Sequence, residues 1–196
     1  VTLVDLDPAM TRLFSSAALL RQLNGDALNS PTLKIVNADA ARWLEDNAET
    51  VDFIVVDFPD PANYSLGKLC SAPFYRLLAR HLAPEGLAVI QSTSPLYARQ
   101  SFWCVVTTVE AAGLKATPYH ALVPSFGEWG YVIASRAPYV PPGRYGPELK
   151  FLTTEIEPAL FSFPKDMARV PAEVNRLNNQ ALVQYYEQEW KRAPVE

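Results

Sequence analysis

The residues best placed to do chemistry are two acidic clusters: Asp5 and Asp7 in Val4-Asp5-Leu6-Asp7-Pro8, and Asp57 and Asp60 in Val55-Val56-Asp57-Phe58-Pro59-Asp60-Pro61. Each follows a short apolar run that reads as a β-strand, and in an open parallel sheet ligands gather beyond the carboxyl ends of the strands. A carboxylate there can accept hydrogen bonds from vicinal ribose hydroxyls, which makes Asp5 a candidate nucleoside-binding residue. An acid is also favoured there simply because a helix N-terminus follows, with Asp7 as N-cap and Pro8 at the first helical position. In the second cluster Pro59 and Pro61 forbid helix and fix an extended turn, which holds Asp57 and Asp60 at a set separation. Paired, half-buried carboxylates can hold an ammonium group, and one can take a proton from an attacking amine. The plainer reading is aspartate as a turn former.

The elements that must position these acids alternate between strand and helix patterns, the signature of an α/β fold with a doubly wound, mostly parallel sheet. After the first strand, Ala9 to Leu23 predicts a helix, and Leu33 to Val36 the next strand. Asp39 follows it and precedes Ala40-Ala41-Arg42-Trp43-Leu44, so it either caps that helix or accepts from an exocyclic amine. Val51 to Val56 is apolar enough to predict a strand covered on both faces. Ser71 to Leu82 reads as a helix closed by Pro84-Glu85-Gly86, and Leu87 to Ile90 as a buried strand running into polar Gln91-Ser92-Thr93-Ser94. Arg99 to Ala112 reads as a helix ending at Gly113, and a closing antiparallel hairpin surrounds residues 124–130. The whole of 1–196 reads as one domain, with a Pro/Gly-rich surface connection at 138–147 and a helical extension over 148–196. In that extension Thr154 and Glu157 predict a capping box, and Val174, Leu177, Ala181 and Tyr185 an apolar helical stripe up to about Trp190.

With 196 residues, 49% of them hydrophobic, the chain is long enough for one sizeable core. The formal net charge of −4 argues against a surface that tracks phosphates and mildly favours cationic ligands, so nucleic acid is not an expected partner. Cys70 and Cys104 match no zinc or redox spacing and read as reduced, inert thiols of a cytoplasmic protein. His81 and His120 have no carboxylate at ligand spacing, so no metal is expected. No apolar run approaches the length needed to cross a bilayer and no signal peptide is visible, so this stretch is expected to make no membrane contact.

Taken in order, these motifs resemble the aminopropyltransferase family, of which spermidine synthase is the best-known member, over most of the chain. Val4-Asp5-Leu6-Asp7 matches the family's ribose-binding acid, which the resemblance places on Asp5. Asp39-Ala40 stands where the family has an Asp-Gly pair at the adenine. Asp57-Phe58-Pro59-Asp60-Pro61 is similar to an Asp-Ser-Ser-Asp-Pro loop, implying Asp57 as proton acceptor and Asp60 as the residue that binds the amine. Leu69 to Tyr75 is similar to a Leu-Tyr/Phe-x-x-x-Phe-Tyr segment, with Cys70 in the aromatic position. Gln91 matches a glutamine of the substrate groove. Val123-Pro124-Ser125-Phe126 resembles a Pro-Thr-Tyr segment lining it, where Phe126 lacks the tyrosine hydroxyl. Tyr64 and the segment Phe126 to Trp129, Glu128 included, are candidates for the walls around the amine's methylenes. Leu149 to Pro164 looks like the family's closing helix.

The resemblance implies a Rossmann-like fold of the S-adenosylmethionine-dependent methyltransferase type. It also implies transfer of the aminopropyl group of decarboxylated S-adenosylmethionine, a co-substrate used without metal, to a diamine such as putrescine or to a polyamine, with release of 5′-methylthioadenosine. In the family a strand and a Gly-Gly-Gly-Asp-Gly loop precede the ribose acid, and neither is found before Asp5. The chain therefore reads as a fragment, inactive alone, with exposed neighbours of the absent central strand unless the sheet closes up or a second molecule contributes, as in a homodimer. Some members place this domain after a membrane-embedded region. The expectation is then a cytoplasmic domain whose intact protein is anchored in the cytoplasmic membrane. Two alternatives come from other classes. A methyltransferase could use the same scaffold, since Phe58-Pro59-Asp60-Pro61 resembles the Phe-Pro-Asp-Pro-Trp motif of transfer-RNA guanine-7 methyltransferases, although Ala62-Asn63-Tyr64 replaces their tryptophan and lysine. A non-catalytic module that binds a nucleoside or polyamine is left open by Ala40, Cys70 and Phe126.

Overall fold

In the computed structural model, which describes residues 1–191, β1 (Thr2–Asp5) and β2 (Lys34–Asn37) pair in parallel, Thr2 opposite Lys34 and Asp5 opposite Asn37. They belong to the first of two units, Val1–Glu49; the second is Thr50–Glu196. Asp7 caps α1 (Pro8–Ser16) by accepting from the Ala9 amide at 2.7 Å, and Pro8 holds the first helical position. The single helix expected over 9–23 is two helices. Ala17 takes an extended ψ of 123°, and α2 (Ala18–Leu23) follows it. The hydroxyls of Ser15 and Ser16 donate back to the Arg12 carbonyl, an arrangement that competes with helix just before the break. α3 (Ala40–Asp46) starts directly after Asp39.

In the second unit a four-stranded sheet has the order β3 (Val51–Val56), β4 (Leu82–Gln91), β6 (Gly127–Ser135), β5 (Lys115–Val123). β3 and β4 are parallel, and β4–β6 and β5–β6 antiparallel. The closing hairpin is thus present, turned by Pro124 to Phe126 with Gly127 at φ 76°, a conformation that suits glycine. β4 begins earlier than the sequence predicts. Leu82 already pairs with Val51, and the register then shifts so that Leu87 meets Phe53, leaving 83–86 as an excursion between them.

The expectation that β3 is covered on both faces needs correcting. Phe53 and Val55 are 57% and 65% exposed, while Val56, pointing the other way, is buried and lines a cavity with Val105 and Leu182. Among the described residues β3 ends its sheet and pairs with β4 alone, so the apolar run here lies on an edge strand with one open face.

The helices of this unit are α4 (Tyr64–Gly67), α5 (Ala72–His81), α6 (Arg99–Ala111), α7 (Glu157–Leu160) and α8 (Ala181–Trp190). α6 is the core element, burying Phe102, Trp103, Cys104, Val105, Val106 and Val109. The C-terminal extension is less helical than predicted. Val174 and Leu177 precede α8, and the closing helix expected over 149–164 is the four residues of α7. The capping box does not form: the Thr154 hydroxyl donates to the Gly143 carbonyl, while Glu157 turns inward and accepts from the Tyr145 hydroxyl. No helix of the described residues is long and apolar enough to cross a membrane.

α8 is fastened to α6 by a carboxylate. Ala98 gives α6 no side-chain cap. Instead Glu189 accepts from the Gln100 amide at 2.6 Å, the Ser101 amide at 3.0 Å and the Ser101 hydroxyl at 2.6 Å. A negative charge on orphan N–H groups at a helix N-terminus is favourable for both capping and dipole reasons. Glu189→Ala is therefore expected to lower stability by about 2 kcal/mol, read as a lower urea midpoint; an unchanged midpoint would contradict this role.

Candidate active site

The end of β3 presents its two acids differently. Asp57 is exposed. Its charge reaches Tyr131 on β6, whose hydroxyl is held above the usual tyrosine range, first by burial and then by Asp57. Tyr131 pairs across the ladder with Gln91 and stacks on Tyr119, ring centroids 5.1 Å apart. Asp60 is half-buried, and its Oδ2 accepts from the Tyr186 hydroxyl of α8 at 3.0 Å. Burial pushes the Asp60 carboxyl up and the Tyr186 bond opposes that. Residues 57–62 form neither helix nor strand, and the two acids differ in side-chain environment.

Asp60 and Gln91 share a cavity of about 20 Å³ with Ser92 and Thr93, over an apolar floor that includes Ile90 and Leu182. Thr93 is a buried, β-branched residue at φ 59°, a strained conformation that its surroundings must enforce. They do so through Gly130. Its amide donates to the Thr93 carbonyl at 2.8 Å and its carbonyl accepts from the Ser92 amide at 3.0 Å. A Cβ at Gly130 would lie 2.5 Å from the Phe102 ring, so only glycine lets β6 come this close.

The other candidates fall in separate places. Tyr64 begins α4 and is 66% exposed, and Asn63 caps that helix by accepting from the Leu66 amide at 3.0 Å. Phe126 lies at the hairpin tip, 62% exposed, its ring centroid 5.3 Å from that of the buried Trp129. Glu128 is engaged across the hairpin: its carboxylate pairs with His120 Nδ1, and His120 Nε2 lies 2.8 Å from the Ser162 carbonyl. The nucleoside candidates belong to the other unit. Asp5 Oδ1 accepts from the Asp7 amide at 2.7 Å, and Asp39 Oδ1 caps α3 by accepting from Ala41 at 2.9 Å and Arg42 at 3.2 Å. Ala40 is the first residue of α3. Burial pushes the Cys70 and Cys104 thiols up to about 12, which keeps them protonated and unreactive. Among the described residues no three His, Cys, Asp or Glu side chains converge as metal ligands would.

Tyr131, Thr93 and Tyr186 are absent from the sequence-derived candidates. Tyr131 is brought to Gln91 by strand register, and Tyr186 to Asp60 across 126 positions of sequence. A periodicity reading places a tyrosine such as Tyr186 in packing; only the unpaired acid at Asp60 hints at a distant donor.

Residues 1–141 match the Spermine/spermidine synthase domain. The chain belongs to this family. Polyamine aminopropyltransferase 2 of Ralstonia nicotianae is 54% identical over 192 residues, covering 97% of this chain and 38% of that protein. The polyamine aminopropyltransferase of Leptospira interrogans is 46% identical over 192 residues, covering 98% of this chain and 39% of that protein. The chain thus spans about two-fifths of the length of these relatives. Among solved structures, spermidine synthase from Thermotoga maritima superposes with a TM-score of 0.70 at 21% identity, over 85% of this chain and 59% of that one. A spermidine synthase in complex with the transition state analogue AdoDATO gives a TM-score of 0.71 at 22% identity, over 85% and 60%. The spermidine synthase fold is therefore shared, an α/β Rossmann-like arrangement. In this chain its strands form two ladders, β1–β2 and β3–β4–β6–β5.

Proposed function

We propose that this chain is the transfer domain of a polyamine aminopropyltransferase, moving the aminopropyl group of decarboxylated S-adenosylmethionine to a diamine such as putrescine. The observation that carries the reading is the pair at the end of β3. Asp57 is open to solvent and beside Tyr131, and Asp60 is half-buried and hydrogen-bonded, in a chain 54% identical to a named polyamine aminopropyltransferase.

The chemistry asks little of the leaving group, since sulfonium departs readily as a neutral thioether. It asks for a neutral amine, because an aliphatic ammonium, with a pKa near 10, has no free electron pair. In this reading Asp60 holds one ammonium end of the diamine. The other amine attacks the carbon beside the sulfonium, the carbon–sulfur electron pair goes to sulfur, and Asp57 takes the proton the nitrogen must lose. Asp57's exposure suits that role, as it can pass the proton to water. Gln91, lining the cavity with Asp60, is a wall for the methylenes; Tyr64, Phe126, Glu128 and Trp129, which lie elsewhere, would have to reach the amine from outside that cavity. Asp5 would hold the ribose through the oxygen left free by its turn, and Asp39-Ala40 would face the adenine.

The test supplies decarboxylated S-adenosylmethionine and S-adenosylmethionine in parallel to a protein extended to the relatives' length, and identifies the departing nucleoside by mass spectrometry. Methylthioadenosine from the decarboxylated donor alone is the expected result. S-adenosylhomocysteine would make the protein a methyltransferase, and binding without turnover a sensor.

A further inference from the structure

We propose that Tyr186, contributed by α8, is a positioning residue for Asp60: it fixes one carboxylate oxygen and leaves the other aimed at the acceptor's ammonium group. The proposal rests on the reading of Asp60 as the amine's holder. Tyr186 lies outside the 1–141 domain match, in the C-terminal segment.

Pro59 and Pro61 hold the backbone around Asp60, so the carboxylate's remaining freedom is rotation of its own side chain. The bond of 3.0 Å from Tyr186 Oη to Oδ2 removes that freedom. A hydroxyl donor to a carboxylate is a charge-assisted bond, about twice as strong as a neutral one. Tyr186 can act this way only if α8 is itself immobile, and it is pinned at three points. Glu189 caps α6, the Leu182 amide donates to Asn175 Oδ1 at 3.3 Å, and the Trp190 ring packs on Tyr97, which precedes α6, with centroids 6.3 Å apart. A tyrosine that merely packed would need no acid partner. Here its hydroxyl meets the one half-buried carboxylate of the cavity that holds Gln91 and Thr93.

Among the described residues, the titratable groups that face Asp60 are Tyr186 from α8 and Cys70 from the turn Lys68–Cys70. Cys70, pushed up to about 12, stays neutral at any working pH. The remaining control on Asp60's charge is therefore Tyr186, whose bond favours the ionised carboxylate against burial. Its removal raises the Asp60 pKa further, so the acid limb of kcat/KM for the amine moves to higher pH.

The experiment compares wild type, Tyr186→Phe, Asp60→Asn and the double variant, in a protein of the relatives' length, with putrescine as the varied amine. Tyr186→Phe should raise the putrescine KM about tenfold with a smaller change in kcat, and move the acid limb upward. In the Asp60→Asn background it should change KM less than about twofold. An equal effect of Tyr186→Phe in both backgrounds, or an unmoved KM and acid limb, would overturn the proposal while leaving Asp60's role intact. An unchanged KM in Asp60→Asn would defeat the reading of Asp60 and the proposal with it. Methylthioadenosine affinity should match wild type in Tyr186→Phe; its loss would show a merely structural tyrosine and overturn the proposal.

Discussion

Asp57→Asn, in a protein extended to the relatives' length, should lower the turnover of decarboxylated S-adenosylmethionine with putrescine by about 10²–10⁴-fold, the range that a positioned general base supplies. The substitution is isosteric and the side chain exposed, so unfolding should be unaffected and the loss is one of chemistry. An amide keeps the hydrogen-bonding shape at the end of β3 and cannot accept the proton that the nucleophilic nitrogen must release. Binding of methylthioadenosine, measured by calorimetry, should stay close to wild type. Near-normal turnover would remove Asp57 from the mechanism, and a parallel loss of nucleoside affinity would make its role one of binding.

The largest stability effect is expected at Asn175, which is fully buried and satisfied on both sides of its amide. Its Nδ2 donates to the carbonyls of Gly67 at 2.9 Å and Cys70 at 3.0 Å, and its Oδ1 accepts from the Leu182 amide at 3.3 Å. One side chain thus ties the segment before α5 to the start of α8. Asn175→Ala leaves two carbonyls and one N–H without partners in a dry interior, at about 1–3 kcal/mol for each such group. A total loss of about 3–5 kcal/mol, a large share of ordinary domain stability, should appear as a steep fall in Tm. Asn175→Asp should be no better, because it replaces the donor with a charge facing two carbonyl oxygens. A loss below about 1 kcal/mol for Asn175→Ala would mean that water replaces the amide and that the tie is dispensable.

The parts of this fold legible in the sequence are those set by local chemistry. Asp7-Pro8 announces the start of α1, Gly113 the end of α6, and Gly127 the turn of the hairpin, because each depends on a cap or a backbone angle of its own residues. What depends on distant packing is not legible. An apolar run such as Val51 to Val56 looks covered on both faces, and only the sheet order shows that Phe53 and Val55 face outward. Thr154 and Glu157 have the spacing of a capping box, but Tyr145 draws Glu157 inward.

The same division holds in the site. Asp57, Asp60 and Gln91 can be placed from strand ends, and Asp39 acts as the N-cap its position offers. Tyr131 needs the β4–β6 register, and Tyr186 needs the docking of α8. Glu128 looks available in sequence because its partner, His120, is fixed by the pairing of β5 with β6.

The most direct test of the central claim is methylthioadenosine release from decarboxylated S-adenosylmethionine by a protein of the relatives' length, followed with and without putrescine and other amines. The account predicts release that requires an amine, matches the aminopropylated product mole for mole, and vanishes in Asp57→Asn. Tight nucleoside binding with no amine-dependent release would contradict it and make this domain a binding module on a transferase fold.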